Sequence, residues 1–259
     1  TVLKKWFDQK IYKPYPETDL FDVLIVFYIN IKRWQRLNRM ARDIPEQYIF
    51  AGTANSNIRQ SLEKVLRQRG LKDNNIRARE VGRLMPNKKK YNQAVVNAIF
   101  KVREYQASNG LELFLSFESE YPDALCAFLR LRLCQPDITT FPELYKCALI
   151  RELHTYGQLI TTKSSKKGAQ HCGFGKRLVS KAIRISILNG YYKIAVISGV
   201  GTRNYYRKLG FYLAEGRGEF MMYRATTLDI IEAYTYAYRG IIIMFLVFII
   251  IKMMLYFTV

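Results

Sequence analysis

Two glycines at the start of a basic, amphipathic segment constrain the fold of this chain more than any other feature. The stretch reads Gln170-His-Cys-Gly173-Phe-Gly175, and the residues after it predict a helix from about Gly175 to Leu188. The first turn of a helix leaves backbone N–H groups unpaired, and glycine lets a bulky anion approach them closely. The pattern therefore predicts a diphosphate site built from main-chain amides, although glycines can also begin a helix for packing reasons alone.

The segments around this motif predict an α/β fold with a largely antiparallel sheet. Apolar, partly alternating runs cover residues 111–117, 124–133 and 144–156, which is typical of a meander of strands. A strand over 193–198, a loop with a short helix and a closing hairpin follow the predicted helix. Farther upstream, the pattern predicts helices over about 58–69 and 92–108.

The charge of the chain is strongly positive and unevenly distributed. The net charge is +20, and residues 59–103 hold thirteen Lys and Arg against three Asp and Glu, which is half of it. Such a surface attracts polyanions, and the one-sided patch predicts contacts with a phosphate backbone, while a solvated helical face is the simpler alternative. The candidate nucleic-acid-binding residues are Arg77, Arg79, Arg83, Lys88, Lys89 and Lys90.

The four cysteines have neither CxxC spacing nor neighbouring pairs of histidines. This pattern predicts neither a disulfide framework nor a zinc site, so no metal ligands are assigned. Reduced thiols of this kind favour a cytoplasmic or nuclear location.

The C-terminal residues 241–259 are almost entirely apolar. Nineteen residues are just long enough to cross a bilayer as a helix, with Lys252 snorkelling to the surface. The tail therefore predicts a transmembrane helix and membrane contact. A buried helix and a segment foreign to the fold are the two alternatives.

The order of elements and two motifs resemble the Gcn5-related N-acetyltransferases. The Gln170-x-x-Gly173-x-Gly175 loop is similar to the one with which that superfamily binds the pyrophosphate of coenzyme A, and YRKLGF (206–211) is similar to its second signature. The resemblance implies the fold of that superfamily, a mixed, mostly antiparallel sheet flanked by helices. It would follow a helical, basic N-terminal remnant and precede a hydrophobic C-terminal helix.

Longer stretches resemble the family of Elongator catalytic subunits, which modify wobble uridines in tRNA. They are RDIP (42–45), IRAREVG (76–82), IRELHTYG (150–157) and KIAVISGVGTRNYYRKLGF (193–211). The resemblance implies acetyl-CoA as the cofactor, and tRNA and other Elongator subunits as partners. It implies a remnant of a radical S-adenosylmethionine domain over 1–90 and an acetyltransferase domain over 91–225, with the tail over 226–259.

The resemblance also implies the cofactor-binding positions. In that superfamily the backbone of a central strand contacts the pantetheine and thioester, and loop amides bind the pyrophosphate. The matching residues here are Glu152, Leu153, His154 and Thr155 in the strand, and Gln170, Cys172, Gly173, Phe174, Gly175 and Lys176 in the loop.

Two adjacent tyrosines are the candidate catalytic residues. Tyr206 matches the family's acid for the coenzyme A thiolate, Tyr205 is its neighbour, and one of the two is expected to pack against the sheet. Glu152 is either a general base or a structural partner of an arginine, and His154 is either a base or a hydrogen-bonded core residue.

One motif of the family has no counterpart in this sequence. The radical domain carries three clustered cysteines, and nothing like CxxxCxxC occurs here, so we expect no iron–sulfur cluster and no radical activity. The prediction is an acetyl-CoA-dependent acyltransferase acting in tRNA uridine modification. The alternatives are a protein-lysine or histone N-acetyltransferase and a non-catalytic remnant that binds acetyl-CoA or tRNA.

Overall fold

The computed structural model describes residues 1–38, 44–53, 55, 57–85, 87–134, 141–157, 173–216 and 219–257, with the backbone alone for 251–257. The chain divides into two compact units, Thr1–Pro86 and Asn87–Val259. The boundary predicted at residue 90 stays a prediction.

The first unit is helical over its described residues. Its helices are α1 (Val2–Asp8), α2 (Glu17–Asn30), α3 (Ile58–Gln68), α4 (Ile76–Arg79) and α5 (Val81–Leu84), with a short 3₁₀ turn at Glu46–Tyr48. The apolar residues Ile58, Leu62 and Leu66 recur every four positions along α3, so they lie on one buried stripe. Leu62 and Leu66 pack with Ile25 and Tyr28 of α2 to form the core of this unit.

The second unit is built on a seven-stranded sheet. Its strand order is β1-β2-β3-β4-β5-β7-β6, and β4 and β5 are parallel while the other described pairs are antiparallel. Its elements are α6 (Lys88–Val96), β1 (Ile99–Ala107), β2 (Gly110–Ser119), β3 (Ala124–Leu133), β4 (Cys147–Thr155), α7 (Phe174–Leu188), β5 (Lys193–Val196), α8 (Arg203–Arg207), β6 (Tyr212–Leu213), β7 (Met221–Arg224) and α9 (Thr227–Phe257).

One face of the sheet, which we call the helix face, packs against α7. Because side chains alternate along a strand, Leu113, Leu115 and Phe117 of β2 all lie on this face. Phe117 stacks on Phe174 at the start of α7, with 4.7 Å between the ring centroids. Leu178 of the same helix is completely buried. Apolar burial therefore holds α7, and with it the N-terminus of that helix, in a fixed place.

The other face of strands β1–β4, which we call the charged face, buries ionised side chains. Glu112 and Glu118 of β2 are 0% and 1% exposed. Arg132 and Arg151 donate to the same Glu112 oxygen at 3.1 and 2.6 Å, and Arg103 donates to Glu118 at 2.7 Å. Each carboxylate thus has a cationic partner, as buried charges require.

The fold class predicted from the resemblance, that of the Gcn5-related N-acetyltransferases, is wrong for this chain. The structure is a mixed α/β fold in which a seven-stranded sheet and its helices follow a separate helical unit. The sheet accounts for only part of the chain, since Thr1–Pro86 has a core of its own and α9 alone runs for 31 residues.

The predicted helix over 92–108 is also wrong in its second half. Helix α6 ends at Val96, and Ile99–Ala107 forms β1, which pairs along its whole length with β2. The segment has good helix formers, but the ladder with β2 overrides that local preference.

Candidate cofactor site

The N-terminus of α7 combines backbone donors that lack intrahelical partners with positive charge. Gly173 precedes the helix in the left-handed conformation, with φ at 67°, which a side chain would disfavour. The amides of the first helical turn have no intrahelical acceptors. No acidic residue lies in this turn, whereas Lys176 and Arg177 are exposed. The arrangement attracts an anion.

Gly175 is in close contact with a strand and a tyrosine. A Cβ added at Gly175 would lie 2.7 Å from the hydroxyl oxygen of Tyr205 and 3.6 Å from Cγ2 of Thr155. Three residues that are distant in sequence therefore meet beside the first turn of α7. Sequence reasoning selected each of them but did not predict this contact, because it depends on how α8 packs.

The two tyrosines of α8 have different surroundings. The side chain of Tyr206 is 6% exposed and packs edge-on against Phe211 at 5.6 Å, whereas Tyr205 is 39% exposed. Burial and then the neighbouring Tyr205 raise the pKa of Tyr206 to about 12, and burial raises the pKa of Tyr205. Both hydroxyls thus remain protonated near neutral pH and can donate hydrogen bonds.

Strand β4 is open on one side where the sequence motif placed the cofactor. Its pairing with β5 covers Cys147–Ile150 against Lys193–Val196, but β4 continues to Thr155. Among the described strands, none pairs with the β5 side of residues 152–155. Within the part of the chain that the structure describes, the backbone groups of Glu152, Leu153, His154 and Thr155 on that side therefore have no strand partner.

The side chains of Glu152 and His154 belong to the charged face. His154 Nε2 donates to Glu152 at 2.9 Å, Arg130 Nε donates to the same carboxylate at 2.7 Å, and the imidazole stacks on Phe128. Burial opposes ionisation of Glu152, but hydrogen bonds from His154 and Arg130 outweigh it and lower its pKa to about 2. Glu152 is thus a structural partner of an arginine, since so weak a base accepts few protons at neutral pH.

The first part of the predicted loop lies outside the described residues. Gln170 and Cys172 fall there, so only Gly173, Phe174, Gly175 and Lys176 of the loop are described.

The candidate nucleic-acid-binding residues differ in exposure. Arg83, Lys88, Lys89 and Lys90 are exposed, and Arg77 is half-buried. Arg79 is only 2% exposed, and it donates to the carbonyls of Asn74 and Arg33 at 3.0 and 2.6 Å. The guanidinium of Arg79 therefore holds two backbone segments together and is not presented to a ligand.

Metal ligands do not cluster in the described part of the chain. No group of three or more His, Cys, Asp or Glu side chains there could hold a metal ion. Cys126, Cys134 and Cys147 are buried and form no disulfide, and burial raises the pKa of Cys147 to about 12. The expected absence of an iron–sulfur cluster stays a prediction.

Comparison with known proteins links the chain to one group. Residues 1–68 match the family described as the Radical_SAM C-terminal domain. Elongator complex protein 3 of Drosophila melanogaster is 39% identical over 207 residues, which cover 78% of this chain and 36% of that protein. The tRNA uridine(34) acetyltransferase of Methanocaldococcus jannaschii is 37% identical over 219 residues, covering 82% of this chain and 39% of that protein.

Solved structures agree with this relationship. The archaeal Methanocaldococcus infernus Elp3 matches with a TM-score of 0.70 and 32% identity, covering 86% of this chain and 52% of that one. An N-acetyltransferase from Lactobacillus plantarum reaches a TM-score of only 0.31 at 15% identity. The chain is similar to Elongator complex protein 3 over most of its length, and it spans 36–39% of the length of these curated relatives.

Proposed function

We propose that this chain binds acetyl-CoA at the N-terminus of α7 and takes part in tRNA uridine modification. The observation that carries the proposal is the similarity to a tRNA uridine(34) acetyltransferase and to Elongator complex protein 3, together with the anion-attracting start of α7. The amides of Gly173–Lys176 bind the pyrophosphate, and the helix dipole adds to the attraction. Gln170 and Cys172 extend this loop in the proposal.

The thioester lies along the open side of β4. Free backbone groups of Glu152–Thr155 hydrogen-bond to the pantetheine arm and to the thioester carbonyl, whose oxygen gains charge in the transition state. Thr155 supports this position, because its side chain and Gly175 are already in contact range beside the start of α7.

Acetyl transfer needs a donor for the departing sulfur. An acceptor nucleophile attacks the carbonyl carbon, the C–S bond breaks, and sulfur takes the electron pair. The nucleophile loses one proton and the thiolate gains one, so the number of protons is unchanged over the whole reaction. We assign the donor to Tyr205, because its hydroxyl lies next to Gly175, whereas Tyr206 is packed against Phe211. A raised pKa keeps the Tyr205 hydroxyl protonated, so that it can donate to the thiolate.

Exposed basic residues contact the phosphates of tRNA in this proposal. Arg83, Lys88, Lys89 and Lys90 have free access to solvent, and Arg77 has partial access. Arg79 is omitted, because its guanidinium is buried on backbone carbonyls.

The remaining parts of the proposal concern the wider assembly. The chain works with other Elongator subunits, in the cytoplasm or nucleus. The sequence lacks a three-cysteine cluster motif, so these residues do not supply the radical step. Formation of 5′-deoxyadenosine by the chain, reconstituted with iron and sulfide, would contradict this last point.

The test is release of free coenzyme A thiol from acetyl-CoA, with and without tRNA. We expect the purified chain to release thiol and tRNA to increase the rate. Tyr205→Phe should lower the rate by on the order of 10²-fold with little change in acetyl-CoA affinity. Tyr206→Phe is the matched control, and a larger loss in that variant would give the donor role to Tyr206. No release of thiol by the folded chain under either condition would refute the catalytic proposal, and stimulation by a lysine peptide in place of tRNA would identify a protein acceptor.

A further inference from the structure

Helix α9 is far longer than its packing against the second unit requires. Its 31 residues extend about 46 Å at 1.5 Å per residue. The span Thr227–Ile250 is long and apolar enough to cross a membrane by length and composition. The described contacts that fix the helix to the rest of the second unit lie in its first part.

The start of α9 is anchored by polar contacts. The carboxylate of Asp229 accepts from the hydroxyls of Tyr223 and Thr226 at 2.9 and 2.6 Å, and Arg184 of α7 donates to Glu232 at 2.7 Å. Ala233 is 1% exposed. These contacts set the direction in which the rest of the helix leaves the unit.

The following part of α9 is apolar and exposed around its whole circumference. Each of the ten residues Ile241–Ile250 is apolar, and their exposures lie between 38% and 67%. Ten residues make almost three turns, so no face of the helix is buried. A helix that is hydrophobic all round belongs either in a protein core or in a membrane.

A group of tyrosines and an arginine marks where this apolar part begins. Tyr234, Tyr236 and Tyr238 come immediately before Arg239 and Gly240. The guanidiniums of Arg184 and Arg239 lie over the Tyr236 ring at 4.1 and 4.6 Å. Tyrosine and arginine at one end of an apolar helix are typical of a membrane–water interface.

The length of α9 after its tyrosines matches a bilayer. From Gly240 to Phe257 the helix extends about 27 Å, close to the hydrocarbon thickness of about 30 Å. Lys252 is the one charged residue in this stretch, and its long side chain can snorkel towards the far surface. The net charge of +20 favours an anionic leaflet on the side of the folded unit.

We propose that α9 inserts into a lipid bilayer from Gly240 onward, with Tyr234, Tyr236, Tyr238 and Arg239 at the headgroups and the second unit on the same side. The occupant of the exposed apolar surface is lipid, not a second copy of the chain. This proposal is independent of the acetyl-CoA site.

The first test is flotation of the full chain, synthesised in the presence of phosphatidylcholine vesicles with and without phosphatidylserine. We expect the chain to float with both vesicles, more completely with phosphatidylserine, and to remain bound after alkaline carbonate washing. Val247→Arg should lower the vesicle-bound to free ratio roughly 100-fold. Val96→Arg, the same change at an 82% exposed position of α6, should leave it unchanged.

A pair of leucines on α9 gives a second readout. With vesicles present, Leu246→Cys should be protected from a membrane-impermeant maleimide, while Leu228→Cys, 78% exposed in the first turn, should react. Extraction of the wild type by carbonate, or equal labelling at the two positions, would overturn the proposal. Protection of Leu246→Cys without vesicles, in a chain that sediments as an oligomer, would assign the surface to a second copy.

Discussion

The two faces of the β1–β4 sheet are stabilised by different physics. On the helix face, Phe117 and Leu115 pack against α7 and its neighbours, and this contact follows the hydrophobic effect. On the charged face, Glu112 and Glu118 are equally buried, and ion pairs with arginines stabilise them. On the helix face, a substitution should destabilise the fold in proportion to the side-chain volume that it removes. On the charged face, stability depends on every buried carboxylate keeping its arginine partner.

Both faces of the sheet position parts of the proposed cofactor site. The helix face fixes the N-terminus of α7, and the charged face fixes the end of β4 through Arg130 and Glu152. Because the two faces use different side chains, each can be disrupted separately by substitution.

Removing the charge of Glu112 should lower the free energy of unfolding more than any other substitution considered below. In Glu112→Gln, Arg132 and the half-exposed Arg151 lose a shared carboxylate that is itself fully buried, which should lower the free energy of unfolding by about 3–5 kcal/mol. Urea denaturation measures this. Glu120→Gln is the matched control, because its pair with Lys101 is exposed and should contribute less than about 1 kcal/mol. Equal effects would mean that burial of Glu112 has no energetic consequence.

Truncating a buried side chain of α7 should lower the free energy of unfolding somewhat less. Leu178 of α7 is 0% exposed, so Leu178→Ala should destabilise the chain by about 2–5 kcal/mol through lost burial and a cavity. Leu228→Ala, at 78% exposure on α9, should change stability by no more than about 0.5 kcal/mol in the same assay. A tolerated Leu178→Ala would show that α7 is not held by apolar packing.

The charged face should also be sensitive to acid through Glu152. Its folded pKa of about 2 lies below the ordinary 4.5, so its stabilising contribution is present above pH 4.5 and is lost as the pH falls towards 2. This contribution is at most about 3 kcal/mol. The difference in unfolding free energy between wild type and Glu152→Gln should therefore shrink over that window, and a constant difference would contradict the assigned cause.

The first unit also contains both buried and exposed arginines. Substituting an exposed one should have the smallest effect of these variants. Arg83→Glu should weaken tRNA binding and reduce the logarithmic salt slope by about 0.7–0.9 per lost phosphate contact. Arg224→Glu, an exposed control outside residues 59–103, should leave the slope unchanged. Arg79→Gln should act on stability instead, since it removes donors to two backbone carbonyls. An unchanged slope in Arg83→Glu would make that residue part of a solvated face.

Local patterns predicted part of this architecture. The helix predicted over 58–69 is α3, and the helix from Gly175 to Leu188 is α7, because one apolar stripe specifies each. The strand predicted over 193–198 is confirmed at Lys193–Val196.

Long-range contacts account for what the sequence could not predict. The alternation in LELFLSF (111–117) is typical of a strand whose polar side chains face water. Glu112 and Ser116 are nevertheless buried, because arginines from three strands lie around them. The surroundings of Tyr205 and Tyr206 depend on the packing of α8, which adjacent letters cannot show. The fold class failed for a related reason, since two matching motifs describe a site and not a whole chain.

Isothermal titration of Gly175→Asp with acetyl-CoA tests the central claim, that the start of α7 binds the cofactor's pyrophosphate. An aspartate there would place bulk against Tyr205 and a negative charge among the amides of the first turn. We expect binding to be abolished in Gly175→Asp. Ser180→Asp, which adds the same charge to an exposed position farther along α7, should bind as the wild type does. Unchanged affinity in a folded Gly175→Asp would contradict the account.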